Sequence, residues 1–243
     1  MKTSYSHGIG STSLLGITIG DMFDQVVRKY PNEDALIVHH QDIRWTYDDL
    51  YEQVERCALS LLSCGLDKGE RLGIWSPNRS EWTVLQLATA KLGLILVNIN
   101  PSYRVHELEY ALQQSACKMI VLADQFKSSR YTEMLQELAP ELAQNEFGDL
   151  QSSKLPHLTH VVSLGPTSSY RAVLTWKAFL DRSTKAKLTE LQYRQASLHF
   201  DEAINIQYTS GTTGYPKGAT LSHHNILNNG YFVARTMNFT HLD

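Results

Sequence analysis

The chain has 243 residues, with 22 Lys and Arg against 25 Asp and Glu, a formal charge of −3, and 42% hydrophobic and 19% charged residues. This is globular composition for one large or two small domains, and the balanced charge argues against a nucleic-acid surface or a disordered charged tail. The apolar stretch at 92–97 falls far short of the ~20 residues that cross a bilayer, so no membrane span is expected.

Three cysteines, Cys57, Cys64 and Cys117, are odd in number and include no Cys-x-x-Cys pair, which supports neither a disulfide framework nor a zinc knuckle. Each reads as a small buried apolar side chain in a reduced compartment. The first twenty residues hold one Lys, no Arg and no acid. That is too little for an organellar presequence, and the continuous apolar core of a secretory signal is absent too.

Thr18 stands as N-cap before a helix in which Met22, Val26 and Val27 share a face, ending near Tyr30 and Pro31. Short strands at 35–38 and 43–45 flank His39, His40, Gln41 and Asp42, a hairpin whose histidines read as solvated surface. Thr46 with Asp49 three residues on opens like a capping box. Leu50, Val54, Cys57, Ala58, Leu61 and Leu62 follow at helical spacing, and Gly65 stops the helix.

From there the pattern alternates: a strand at 71–75, a helix at 81–92, a strand at 94–98, a helix at 105–115, a strand at 118–122 and a helix at 128–138. Alternation of this kind predicts βαβ units and a mainly parallel sheet covered by helices, the α/β class. Pro140 closes the last helix, and 141–156 is expected to be a polar connector with little order of its own. A strand at 160–164 resumes the pattern, while within 166–200 only a short helix near 176–180 is legible. Trp75 and Trp82 sit in apolar patterns and read as core. Glu107 and Glu109, two apart on a helix, point to different faces, which disfavours a carboxylate dyad.

One stretch departs from ordinary loop composition: Thr209, Ser210, Gly211, Thr212, Thr213, Gly214, Tyr215, Pro216, Lys217 and Gly218, after the strand-like run at 204–208. Its glycines allow tight bends that bring N–H groups against a ligand, its Ser and Thr hydroxyls can donate to phosphate oxygens, and Lys217 adds a mobile positive charge. Together they suit a polyphosphate. Neither the Walker A order nor the Rossmann glycine fingerprint is present. Residues 219–221 alternate again and Ser222 is a good N-cap for a helix through Met237, so the loop is expected to join two strands. Anion binding would then come from backbone N–H groups and hydroxyls rather than from a helix terminus. A Gly/Thr hairpin turn with no ligand is the alternative. The adjacent His223 and His224 cannot form a zinc pair on one helix face, and a packing role at the helix start is expected.

The order of residues in this stretch resembles the signature Tyr-Thr-Ser-Gly-Thr-Thr-Gly-x-Pro-Lys-Gly of the AMP-forming acyl-CoA synthetases, the adenylate-forming ligase superfamily. Thr46, Tyr47 and Leu50 are similar to the family's Thr-Tyr-x-x-Leu element. Gly69, Glu70 and Arg71 with Asn78 resemble its Gly-Asp-Arg strand, and Asn100, Pro101 and Tyr103 with Glu107, Leu108 and Tyr110 resemble the stretch that follows. The wording at 205–208, 218–223 and 225–229 is similar to its mitochondrial medium-chain fatty-acid members.

The resemblance implies an α/β fold of alternating strands and helices, the partial N-terminal domain of an adenylate-forming ligase. It implies ATP-dependent activation of a medium-chain fatty acid to an acyl-adenylate and transfer to CoA. ATP, Mg2+ and CoA are the implied cofactors and co-substrates, and neither a nucleic acid nor a membrane span is expected. Residues Thr209, Ser210, Gly211, Thr212, Thr213, Gly214, Tyr215, Pro216 and Lys217 would hold the β- and γ-phosphates. Ser210, Thr212 and Thr213 would be the hydroxyl donors, and Lys217 the charge that follows pyrophosphate. No catalytic residue or metal ligand is assigned.

The family's later segments, a Tyr-x-x-Thr-Glu magnesium element, a ribose-binding Asp, a hinge and a C-terminal catalytic Lys, find no counterpart. Residues 1–243 are therefore expected to form an incomplete AMP-binding domain without the C-terminal catalytic subdomain, unable to complete adenylation alone and binding ATP weakly. Two other readings stand beside this one: a non-catalytic truncated or splice product that keeps only the phosphate loop, and a ligase for another carboxylic acid. The resemblance implies the mitochondrial matrix; the cytosol is the alternative, because the similarity begins near Tyr5 and leaves no room for a presequence.

Overall fold

The computed structural model describes residues 10, 12–209 and 216–240. Helix α1 (Ile19–Lys29) starts where Thr18 Oγ1 accepts the Asp21 N–H at 3.1 Å, with Asp21 in its first turn and Arg28 and Lys29 in its last, as the helix dipole favours. Strands β1 (Asp34–Val38) and β2 (Ile43–Thr46) pair antiparallel around a 3₁₀ turn at His39–Gln41, and both histidines are exposed. Helix α2 (Tyr47–Ser63) opens on the expected capping box: Thr46 Oγ1 accepts the Asp49 N–H and Asp49 Oδ2 accepts the Thr46 N–H.

The alternating part follows as β3 (Arg71–Trp75), α3 (Ser80–Leu92), β4 (Ile95–Ile99), α4 (Val105–Ser115) and β5 (Met119–Leu122). The expected helix at 128–138 is shorter. A small hairpin, β6 (Gln125–Phe126) with β7 (Ser129–Arg130), turns at Lys127 in the left-handed region (φ 54°), and α5 (Tyr131–Leu138) begins only after it. Next come β8 (His160–Ser163), β9 (Val173–Thr175), α6 (Trp176–Leu180), α7 (Leu188–Ala196), β10 (Ala203–Thr209), β11 (Lys217–Ser222) and α8 (His223–Thr236).

The main sheet has the order β11-β10-β4-β3-β5-β8-β9, parallel throughout except for the β10–β11 hairpin. Helices cover both faces, as parallel sheets require. Alternate residues of each strand serve opposite cores: Leu72 and Ile74 of β3 join α1, α2, α3, α6 and α7, whereas Trp75 packs with α4 and α5. Trp75 is fully buried, as expected of core, but Trp82 is only partly so.

Two further expectations are corrected. The connector at 141–156 is not without order: Leu142, Leu150 and Leu155 are buried, and Asn145 Oδ1 accepts the Gln151 N–H at 2.9 Å. Apolar anchors spaced eight and five residues apart follow neither period, so tertiary packing holds them without a pattern to read. The stretch 166–200 contains β9 and α7 in addition to the short helix that was legible. Of the cysteines, Cys57 and Cys117 are buried and Cys64 is half-buried. Burial pushes the thiols up, to about 11 for Cys64 and Cys117, leaving them unreactive at neutral pH.

Gly93 ends α3 in the left-handed conformation (φ 68°), and its carbonyl accepts the Gly69 N–H at 2.8 Å. A Cβ there would lie 2.6 Å from Leu198 Cδ2 and 3.0 Å from Lys68 Cγ. Gly93→Ala is expected to cost about 1–2 kcal/mol for the backbone conformation alone, with the clash added. Urea denaturation checks this, and an unchanged midpoint would contradict it.

Candidate phosphate-binding hairpin

The candidate loop leaves from the carboxyl end of β10. Because β3, β4, β5 and β10 run parallel, it leaves on the same sheet edge at which those strands end, where α/β sheets place their ligands. Ser210, Gly211, Thr212, Thr213, Gly214 and Tyr215 lie outside the described residues. Thr209, Pro216, Lys217 and Gly218 frame them. Thr209 and Lys217 are antiparallel partners, with Thr209 Oγ1 donating to the Lys217 carbonyl at 3.4 Å. The expectation that the loop joins two strands holds. Lys217 is exposed.

Gly218 pairs across the hairpin with Tyr208. A Cβ at Gly218 would sit 3.1 Å from Ile206 Cγ2 and 3.6 Å from the Tyr208 ring, so a side chain would press on both. Tyr208 is held by α4, its Oη donating to the Ala111 carbonyl at 3.0 Å, and burial raises its pKa to about 12. Tyr110, also on α4, donates from Oη to the Pro216 carbonyl at 3.3 Å. Helix α4 thus touches both legs of the hairpin. Its sequence neighbourhood resembles the family, yet nothing in the sequence assigned Tyr110 a role.

What fixes α4 begins at the end of β3. Trp75 stacks on Tyr131 with ring centroids 3.8 Å apart and planes 17° apart. Trp75 Nε1–H donates to the Asn100 carbonyl at 3.1 Å, and Tyr131 Oη to the Pro101 carbonyl at 2.6 Å. These two carbonyls belong to the turn that feeds α4. Arg104 then closes the helix start: its N–H donates to Glu107 Oε2 at 3.0 Å and its Nη1 to Ser129 Oγ at 2.7 Å. Glu107 therefore caps a helix, and Glu109 accepts from Gln113 Nε2 instead of pairing with it.

Beyond the hairpin, Ser222 caps α8 as expected, accepting the Asn225 N–H at 3.3 Å. His223 is fully buried, and its Nδ1 accepts the Ile19 N–H at 3.2 Å, so the proton of the neutral ring lies on Nε2. This is the packing role expected for it. Burial lowers its pKa to about 4, with Lys68 assisting and Glu202 and Asp21 opposing. Asn228 reinforces the join, accepting the Leu15 N–H at 2.8 Å and donating to the Leu15 carbonyl at 3.0 Å. Among the described residues no group of three or more His, Cys, Asp or Glu side chains converges on a point. A hydroxyl- and amide-rich turn with one lysine fits phosphate oxygens, and a magnesium ion arriving with them would be held mainly by the phosphates themselves.

The β10–β11 hairpin thus places the candidate loop at the carboxyl edge of a mainly parallel sheet in an α/β domain. The AMP-binding enzyme family model matches residues 23–242, and the chain belongs to that family. It is 44% identical over 239 residues to the mitochondrial medium-chain acyl-CoA ligase ACSF2 of Rattus norvegicus and 44% identical to that of Homo sapiens. In both cases 96% of this chain is covered, and the chain spans 38% of the relative's length. In fold it is similar to a long-chain-fatty-acid-CoA ligase, FadD1, from Archaeoglobus fulgidus, with TM-score 0.74 at 21% identity, covering 100% of this chain and 44% of that one.

Proposed function

We propose that the chain takes part in ATP-dependent activation of a medium-chain fatty acid to an acyl-adenylate, followed by transfer of the acyl group to CoA. The observation that carries this reading is the β10–β11 hairpin, which presents Thr209 and Lys217 side by side at the carboxyl edge of the sheet. The names of the rat and human relatives support the medium-chain acid, CoA and a mitochondrial location.

In this reading residues 209–217 hold the β- and γ-phosphates of ATP. Main-chain N–H groups, with the hydroxyls of Ser210, Thr212 and Thr213, donate to phosphate oxygens. Lys217 stays with the pyrophosphate as the acid's carboxylate displaces it from the α-phosphorus. Such chemistry needs alignment and charge stabilisation more than a protein nucleophile. Magnesium, when bound with the nucleotide, neutralises phosphate charge. Residues 1–243 act as part of an AMP-binding domain.

Lys217→Ala is expected to weaken ATP binding by about tenfold or more, the usual effect of removing a charge-assisted hydrogen bond. A titration followed by the 31P resonances of ATP reads the change, and equal affinity in the variant would contradict the phosphate assignment. For the acid, a non-hydrolysable octanoyl-adenylate is expected to bind more tightly than its palmitoyl counterpart; the reverse order would remove the medium-chain part.

A further inference from the structure

Pro216 has no N–H, so its carbonyl is its single main-chain hydrogen-bonding group. The peptide plane carrying that oxygen also carries the N–H of Lys217. Whatever holds the Pro216 oxygen therefore sets how Lys217 enters β11. That oxygen accepts from Tyr110 Oη, 106 residues away in sequence. One turn further along α4, Gln114 Nε2 donates to the same Tyr110 oxygen at 2.8 Å. The amide occupies an acceptor position on the hydroxyl and leaves its proton for Pro216. Next to Tyr110 in sequence, Ala111 receives the Tyr208 hydroxyl from the other leg. The turn is thus gripped on both legs by consecutive residues of one helix, itself anchored through Trp75 and Tyr131.

We infer that Tyr110 is a positioning residue for Lys217: its hydroxyl fixes the Pro216–Lys217 peptide so that the lysine meets the polyphosphate without a prior rearrangement. This rests on the phosphate-binding reading of the hairpin. Tyr110 acts through the main chain and through Lys217, not on the nucleotide.

Tyr110→Phe keeps the ring and removes only the hydroxyl. Amide exchange at Lys217 and Gly218 is expected to quicken about fivefold, the effect of one neutral hydrogen bond, while exchange in β3 and β5 stays unchanged and the thermal midpoint falls by no more than about 4 °C. Affinity for ATP is expected to fall about fivefold and affinity for AMP, which has no β- or γ-phosphate, to stay the same. Gln114→Ala should move both readouts in the same direction by less. Unchanged exchange and unchanged ATP affinity in Tyr110→Phe would overturn the inference, and so would an equal loss for ATP and AMP with quickened exchange throughout the sheet, which marks a general structural role. A wild-type chain with no saturable ATP binding would instead contradict the phosphate reading, with the exchange comparison still deciding whether Tyr110 holds the peptide.

Discussion

Lowering the pH from 7 to 4 is expected to strip about 3 kcal/mol of stability for each of two buried histidines, His160 and His223, whose pKa values are held near 4. His160 is 7% exposed and His223 0%. Desolvation is the leading cause for both, with Lys118 and Arg182 adding to it at His160 and Lys68 at His223. Glu70 opposes it at His160, and Glu202 and Asp21 oppose it at His223. Between pH 6.5 and 4 the unfolded chain takes up protons on these rings and the folded one does not, so unfolding gains as pH falls. The contribution is complete above pH 6.5 and gone once pH has dropped through 4. Carboxylates held below their ordinary values, such as Glu81 with its Arg79 and Gln41 partners, give up their share at lower pH. Urea midpoints at pH 7, 5.5 and 4.5 should therefore fall steadily, and His160→Gln should flatten part of the slope. A flat profile across this window would contradict the account of both rings.

Trp75→Ala is expected to cost about 4 kcal/mol, the usual loss for truncating a buried aromatic. The residue is fully buried, stacks on Tyr131 and donates to Asn100, so the change removes packing and leaves the Asn100 carbonyl without this donor. Trp75→Phe should lose less than half as much. The effect should also reach the hairpin, because the Asn100–Pro101 turn that these aromatics hold is the one that leads into α4. Denaturant unfolding with amide exchange at Lys217 tests both parts. A variant as stable as wild type would show that the stack is dispensable.

What could be read from the sequence was whatever is decided locally. Thr18, Thr46 and Ser222 each cap the helix they were expected to cap, because a hydroxyl reaching an N–H three residues on depends on nothing distant. Strands β3, β4, β5 and β8 are legible for the same reason, as apolar runs buried on both faces, whereas the three residues of β9 are too few to mark a pattern. Helix α7 escaped because Leu191 is its single buried residue, too little to mark a period. The order of the polar connector leaves no local pattern, because its leucines join a core built from residues remote in sequence. At the candidate site, the residue types of 209–218 suit a polyphosphate, and their order adds the resemblance to the adenylate-forming ligases. The support beneath it did not show: Tyr110 meets Pro216, and Ile19 meets His223, only once the sheet has brought them together.

The hairpin around Lys217 is proposed to recognise the β- and γ-phosphates of a nucleotide. The most direct measurement is the ratio of ATP to AMP affinity in the wild-type chain and in Lys217→Ala, each titrated under the same salt and magnesium. The wild type is expected to prefer ATP by about tenfold or more, and the preference to fall close to one in the variant. Equal affinities for ATP and AMP in the wild type, or an ATP preference that survives loss of Lys217, would contradict it.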